Sequence, residues 1–142
     1  MLKGRITSSS LNVASVAFEQ VGGLISLPAV TDFVSHVVLN DDPSFFATEY
    51  FWEVFFDVKE SVGELPVMRH RPQGFSIAEP AFLKLSSKRS IKISLAHAHA
   101  FLLKMVQLTR AEPSFADFYI FFIADKNQQV QCVDAYWFYD RW

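Results

Sequence analysis

Four stretches of this chain carry a readable alternation of apolar and polar positions, and they predict different elements. After Pro28, apolar residues fall at Val30, Phe33, Val34, Val37 and Val38. That helical stripe, with proline at a tolerated first-turn position, predicts a helix over 28–39. The segment 43–61 is ambiguous: its Phe, Tyr, Trp and Val content suits a strand, while its pattern suits a helix. Asp42 can cap such a helix, Pro43 sits in its first turn and Gly63 ends it. Tyr50, Phe51, Val54, Phe55, Val58 and Val62 then form one stripe and Glu49, Glu53 and Asp57 a separate acidic line. The cleaner segregation favours the helix.

Further on, "LPVMRHR" (65–71), "GFSIA" (74–78) and "AFLKL" (81–85) read as short strands, and "SSKRS" (86–90) as a basic turn. Residues 91–105 alternate strictly. Ile91, Ile93, Leu95, His97, His99, Phe101, Leu103 and Met105 would share one face of a long strand, while the helix-favouring Ala, Leu, Lys and Met content and a possible cap at Ser94 allow a helix instead. The alternation favours the strand. The tail is clearer: 115–124 and 130–140 are aromatic and branched, and "DKNQQ" between them suits a turn, so a hairpin is predicted. With Lys126 and Asn127 at its tip, one face carries Tyr119, Phe121, Ile123, Val130, Cys132, Asp134, Tyr136 and Phe138.

Together these elements predict an α+β fold: N-terminal helices packed on a curved antiparallel β-sheet that ends in a long C-terminal hairpin, cone-shaped or barrel-like if the sheet curls. With no linker, repeat or low-complexity tract, 1–142 is expected to be a single domain. The element order resembles that of the cone-shaped nuclear-transport-factor-like fold. The resemblance is one of fold alone and implies either a small-ligand cavity or a protein-docking surface.

Composition sharpens this. Hydrophobic residues are 51% and aromatics 15% of the chain, with 15 phenylalanines, while charged residues are only 20%. So much apolar side chain on a small body predicts an interface or a lined pocket. Cys132 is the only cysteine, which excludes an intrachain disulfide and four-cysteine zinc sites and favours a reducing, cytoplasmic setting. Cys132 itself reads as a small buried hydrophobe. Lys3 and Arg5 sit in an acid-free start, but Ser8, Ser9, Ser10 and Asn12 interrupt any apolar core, so export is not expected. No apolar run approaches the roughly 18 residues that span a bilayer, and a soluble protein is expected.

Charge is uneven. Residues 32–64 hold eight acids (Asp32, Asp41, Asp42, Glu49, Glu53, Asp57, Glu60 and Glu64) against Lys59, whereas 65–92 hold six bases against Glu79. If these form different surfaces, the molecule steers a charged partner to one side; side by side, they neutralise each other. A net charge of −2 argues against nucleic acid as that partner.

Two chemistries are open. On a strand, His97 and His99 would lie about 7 Å apart on one face, a spacing that can chelate a metal. No second ligand cluster accompanies them, so neither metal nor cofactor is expected. Asp134, inside an aromatic strand, could instead act as an acid or base with His97 or His99 in a cavity of the curved sheet. "KLSSKRSIK" could touch phosphate through Lys84, Lys88, Arg89 and Lys92, although a solvated turn explains it as well. The absence of G-x-S-x-G, Walker and G-x-G-x-x-G motifs gives hydrolase and nucleotide templates no foothold. The leading expectation is a non-enzymatic protein-binding module, a small inhibitor of immunity or antitoxin type. It would hold a basic, toxin- or nuclease-like partner through Glu49, Glu53, Asp57 and Glu60. The alternative is a small-ligand binder or acid/base enzyme built around Asp134, His97 and His99. A homodimer is compatible with either.

Overall fold

The computed structural model describes residues 2–4, 10–13, 16–72, 92–111, 118–137 and 141–142. The α+β class stands, built on three sheets. Strands β1 (Leu2–Gly4), β2 (Ser10–Val13), β3 (Val16–Leu27) and β6 (Leu65–Pro72) form an antiparallel sheet in the order β1-β6-β3-β2. β4 (Val30–Val34) pairs antiparallel with β5 (Lys59–Val62). β7 (Lys92–Ile93) runs parallel to β8 (Phe118–Ala124), which forms the hairpin with β9 (Val130–Tyr136). Helices α1 (Ser35–Val38), α2 (Glu49–Phe55) and α3 (Leu95–Ala111) complete the fold. No closed barrel forms among the described residues.

The expected helix over 28–39 is instead strand β4 followed by the single turn α1. The physical reason is a bulge. Asp32 adopts φ 54°, and the register with β5 shifts between Val30 and Phe33. Val30 and Phe33, three apart, therefore both pack into the core, and the interrupted strand imitates helical spacing. Its β-branched valines agree with the strand. A second bulge interrupts β3 between Val21 and Ile25, where Gly22 takes φ +69°. That left-handed backbone favours glycine, and a Cβ on Gly22 would also come within 2.7 Å of the Arg69 guanidinium, which would have to shift.

The segment 43–61 contains a helix, but only over Glu49–Phe55, after which the chain turns into β5. Its cap is Thr48, whose Oγ1 accepts from the Phe51 N–H, and not Asp42. Asp42 instead accepts from the Ser44 N–H and opens a turn around Pro43. Ser35, fully buried, ties the helices together: its hydroxyl donates to the Phe55 carbonyl and accepts from the Val58 N–H at 3.1 Å.

The largest departure is 91–105. Apart from β7, this stretch is the front of α3 and not a long strand. Residues 95 to 102 are all buried, because α3 packs against β3, β4, β5 and β8 at once. Covered throughout, 95–102 has no polar face to reveal its period, and the alternation of alanine with larger residues there carries no strand information; an exposed side begins only at Leu103 and Lys104. Ala96, Ala98 and Ala100 let neighbouring elements approach closely. The possible cap at Ser94 is real: its Oγ accepts from the His97 N–H at 3.1 Å.

The "LPVMRHR" strand and the hairpin are present as expected. "GFSIA", "AFLKL", "SSKRS" and Phe138 lie outside the described residues, as do Lys84, Lys88 and Arg89. The register of the hairpin differs by one residue. Tyr119 faces Ala135, Phe121 faces Val133 and Ile123 faces Gln131, across a turn of residues 125–129. Asp125 fixes that odd-numbered turn. Its carboxylate accepts from the N–H groups of Asn127 and Gln129 and from the Gln131 side chain, while Gln128 takes φ 63°. A one-residue slip exchanges faces, so Cys132, Asp134 and Tyr136 lie opposite to Tyr119, Phe121 and Ile123. Cys132 is accordingly exposed and not a buried hydrophobe.

The core joins these layers. Leu27, Phe33, Phe55, Val67, Phe101, Tyr119 and Trp142 belong to one buried cluster, with Phe101 set edge-on to Tyr119 at 4.9 Å between ring centres. Each such side chain contributes about 1.5–3 kcal/mol on burial, so this cluster outweighs any exposed charge pair.

Candidate functional site

A cavity of about 470 Å³ opens between α3, the β8–β9 hairpin and the chain from Leu39 to Phe51. Each wall has a local cause. The helix contributes Leu95, Ala98, His99 and Leu102, and the small Ala98 leaves space where a longer side chain would fill it. The hairpin contributes Phe121 and Ile123 from β8 and residues 133–136 from β9. The third wall is the loop holding Phe45, Phe46, Ala47 and Thr48, which cannot pair as a strand of its own. Trp142 secures it: the Trp142 N–H donates to the Ser44 carbonyl, and the Phe46 N–H donates to the Trp142 carbonyl at 2.7 Å. The lining is mainly apolar, with Thr48, His99, Asp134, Tyr136 and Arg141 carrying its polar side-chain groups.

The two histidines of "AHAHA" part company. On a helix their directions differ by about 200°, which removes the chelating geometry that a strand would give. His97 donates from Nε2 to the Gly63 carbonyl at 2.7 Å and fastens α3 to the turn after β5. His99 borders the cavity, with its ring 4.7 Å from Phe45 and 6.0 Å from Phe33. Its Nε2 is buried without a hydrogen-bond partner and lies 3.7 Å from Asp42 Oδ2. Burial pushes this imidazole below its ordinary pKa, with the Asp42 carboxylate opposing in part. Among the described residues, no group of three His, Cys, Asp or Glu side chains could hold a metal ion.

Asp134 borders the same cavity from β9, but its residue is exposed and lies on the hairpin face opposite Tyr119. The structure therefore does not pair it with His97, which is engaged at Gly63, and His99 faces Asp42 instead. Loss of solvation around the Cys132 sulfur, followed by the nearby Asp134 charge, pushes that thiol up and away from a reactive thiolate.

The acidic residues also divide. Glu49, Glu53 and Asp57 are exposed, beside Tyr50 at 70% and Phe56 at 56% exposure. Asp57 sits 3.9 Å from both His36 Nδ1 and Lys59 Nζ, and the His36 ring stacks on Phe56 at 4.6 Å. Glu60 turns inward. Half-buried, it accepts from the Leu95 N–H at 3.3 Å and so satisfies the start of α3. Its carboxyl is raised by burial, against the opposing hydrogen bonds from Leu95, Ala96 and Ser94.

Sequence reasoning missed the His99–Asp42 approach, Arg141 and the role of Trp142. Asp42 and His99 are 57 positions apart, and no local pattern joins them. The one available signal was "PSFFAT", a phenylalanine pair in a turn-like stretch where apolar side chains need a reason to be. No family model, curated protein or solved structure matches the chain. No helix among the described residues is long and apolar enough to cross a membrane.

Proposed function

We propose that this protein binds a small apolar molecule in the cavity between α3, the hairpin and the 44–48 loop. The observation that carries the reading is the cavity itself: about 470 Å³, bordered by Leu39, Phe45, Phe51, Leu102, Phe121 and Trp142. That volume is within the range of pockets that take drug-sized ligands, about 300–1,000 Å³. A 142-residue chain that leaves such space beside its core forgoes packing contacts that a ligand would restore. Titration with N-phenyl-1-naphthylamine, a neutral probe that brightens in apolar surroundings, tests it. Saturable one-to-one binding that Ala98→Leu and Ala47→Leu each weaken supports the reading. No saturable signal, or binding that neither substitution affects, overturns it.

A second reading has its own observation. Tyr50 and Phe56 are exposed next to Glu49, Glu53 and Asp57, an arrangement suited to a basic protein partner of an inhibitor module. Native mass spectrometry of the untagged protein from its own cells tests this. A stoichiometric protein companion lost on reversing Glu49, Glu53 and Asp57 to Lys supports it; absence of a companion, or its retention by that variant, counts against it.

A further inference from the structure

The cavity has a buried His99 backed by Asp42 on its inner side and a cationic Arg141 at its exposed rim, and this orients a ligand. On the inner wall stands His99, nine-tenths buried, with Asp42 Oδ2 3.7 Å from its Nε2. Burial favours the neutral imidazole, so the inner wall carries no cation to receive an anion, and the Asp42 carboxylate repels one. A desolvated anion placed there would lack any charge to offset its loss of water.

The rim is the reverse. Arg141 is exposed, and its guanidinium carbon lies 5.2 Å from the ring centre of Phe46, a residue of the cavity lip that is itself 66% exposed. Among the described residues no carboxylate forms an ion pair with Arg141. The other charged member of the lining, Asp134, is exposed to water, which screens it. A guanidinium with no ion-pair partner among the described residues, above an aromatic lip at the mouth of an apolar space, can receive a carboxylate through paired N–H donors while the rest of the ligand is buried.

We propose that the ligand is an amphipathic monocarboxylate, an apolar chain or ring system with a single carboxylate, bound tail-first with its head at Arg141. This rests on the cavity reading above and specifies the ligand class. The test is displacement of N-phenyl-1-naphthylamine by decanoate and by decan-1-ol, which share a tail and differ in the head. Decanoate is expected to displace the probe at about tenfold lower concentration, the scale of a charge-assisted hydrogen-bonded pair discounted for its exposure. Arg141→Gln is expected to erase the ratio between the two, Arg141→Lys to retain part of it, and added salt to reduce it. Equal displacement by both compounds, or a ratio unchanged in Arg141→Gln, overturns the head-group assignment and leaves the cavity reading standing. Failure of the probe and of both compounds to bind overturns the two together.

Discussion

The indole N–H of Trp142 donates to the main-chain carbonyl of Leu102 at 3.1 Å, joining the last residue of the chain to the middle of α3. The same Trp142 lies 5.6 Å from Tyr119 and 5.2 Å from Trp137, ring centre to ring centre. It also holds the loop at Ser44 and Phe46 through its backbone. One residue therefore connects helix, hairpin and cavity loop, the first two through its indole and the loop through its backbone.

Trp142→Ala is expected to lower stability by about 3–5 kcal/mol, the usual cost of removing a buried large aromatic. Trp142→Phe retains most of the buried area and should cost less. Urea unfolding followed by far-UV circular dichroism checks both, since that signal does not depend on the removed indole. An alanine variant as stable as the parent would mean that the indole contacts with Leu102, Tyr119 and Trp137 contribute nothing to the fold.

Glu60 provides a test of why an acid sits at the start of α3. Its raised pKa means that the folded state binds the proton more tightly than the unfolded chain, so its carboxylate opposes folding above that pKa and the penalty fades as pH falls. Glu60→Gln keeps an acceptor for the Leu95 N–H and removes the charge; its melting temperature at pH 7 should equal or exceed the parent's. Glu60→Leu removes the acceptor and should cost about 1 kcal/mol, the net worth of one hydrogen bond. Equal damage from both would show that the negative charge is what matters.

His99 sets a pH dependence of definite sign. Its folded pKa lies below the ordinary value of 6.5, so the unfolded chain takes up the proton first. The neutral-histidine contribution is fully present above pH 6.5 and is lost as pH falls through the folded value. Between pH 7.5 and pH 5, the urea midpoint of the parent should fall further than that of His99→Phe, whose ring stays neutral. Parallel pH profiles would mean that the Asp42 carboxylate fully offsets the effect of burial on the imidazole.

The features that local physics controls were legible in the chain. The hairpin was legible because two aromatic, branched runs flank a turn-forming "DKNQQ", and β6 because "LPVMRHR" is short and bounded. The surplus of aromatics pointed correctly to a lined pocket or exposed surface, and both are present. Glu49, Glu53 and Asp57 are all exposed, but α2 ends at Phe55, so the line expected from their spacing is helical only for the first two.

The remaining features turn on contacts between distant stretches. Whether 91–105 was strand or helix depended on the burial of every residue from 95 to 102, which erases the periodicity that separates the two. The face taken by Asp134 depended on a single residue in the turn, set by Asp125 through hydrogen bonds invisible to a pattern of apolar positions. Glu60 left the acidic surface because the start of α3, 35 positions away, needed an acceptor. The cavity joins Phe45, His99, Phe121 and Arg141 from four distant stretches, and their meeting is a property of packing, which no local window of sequence contains.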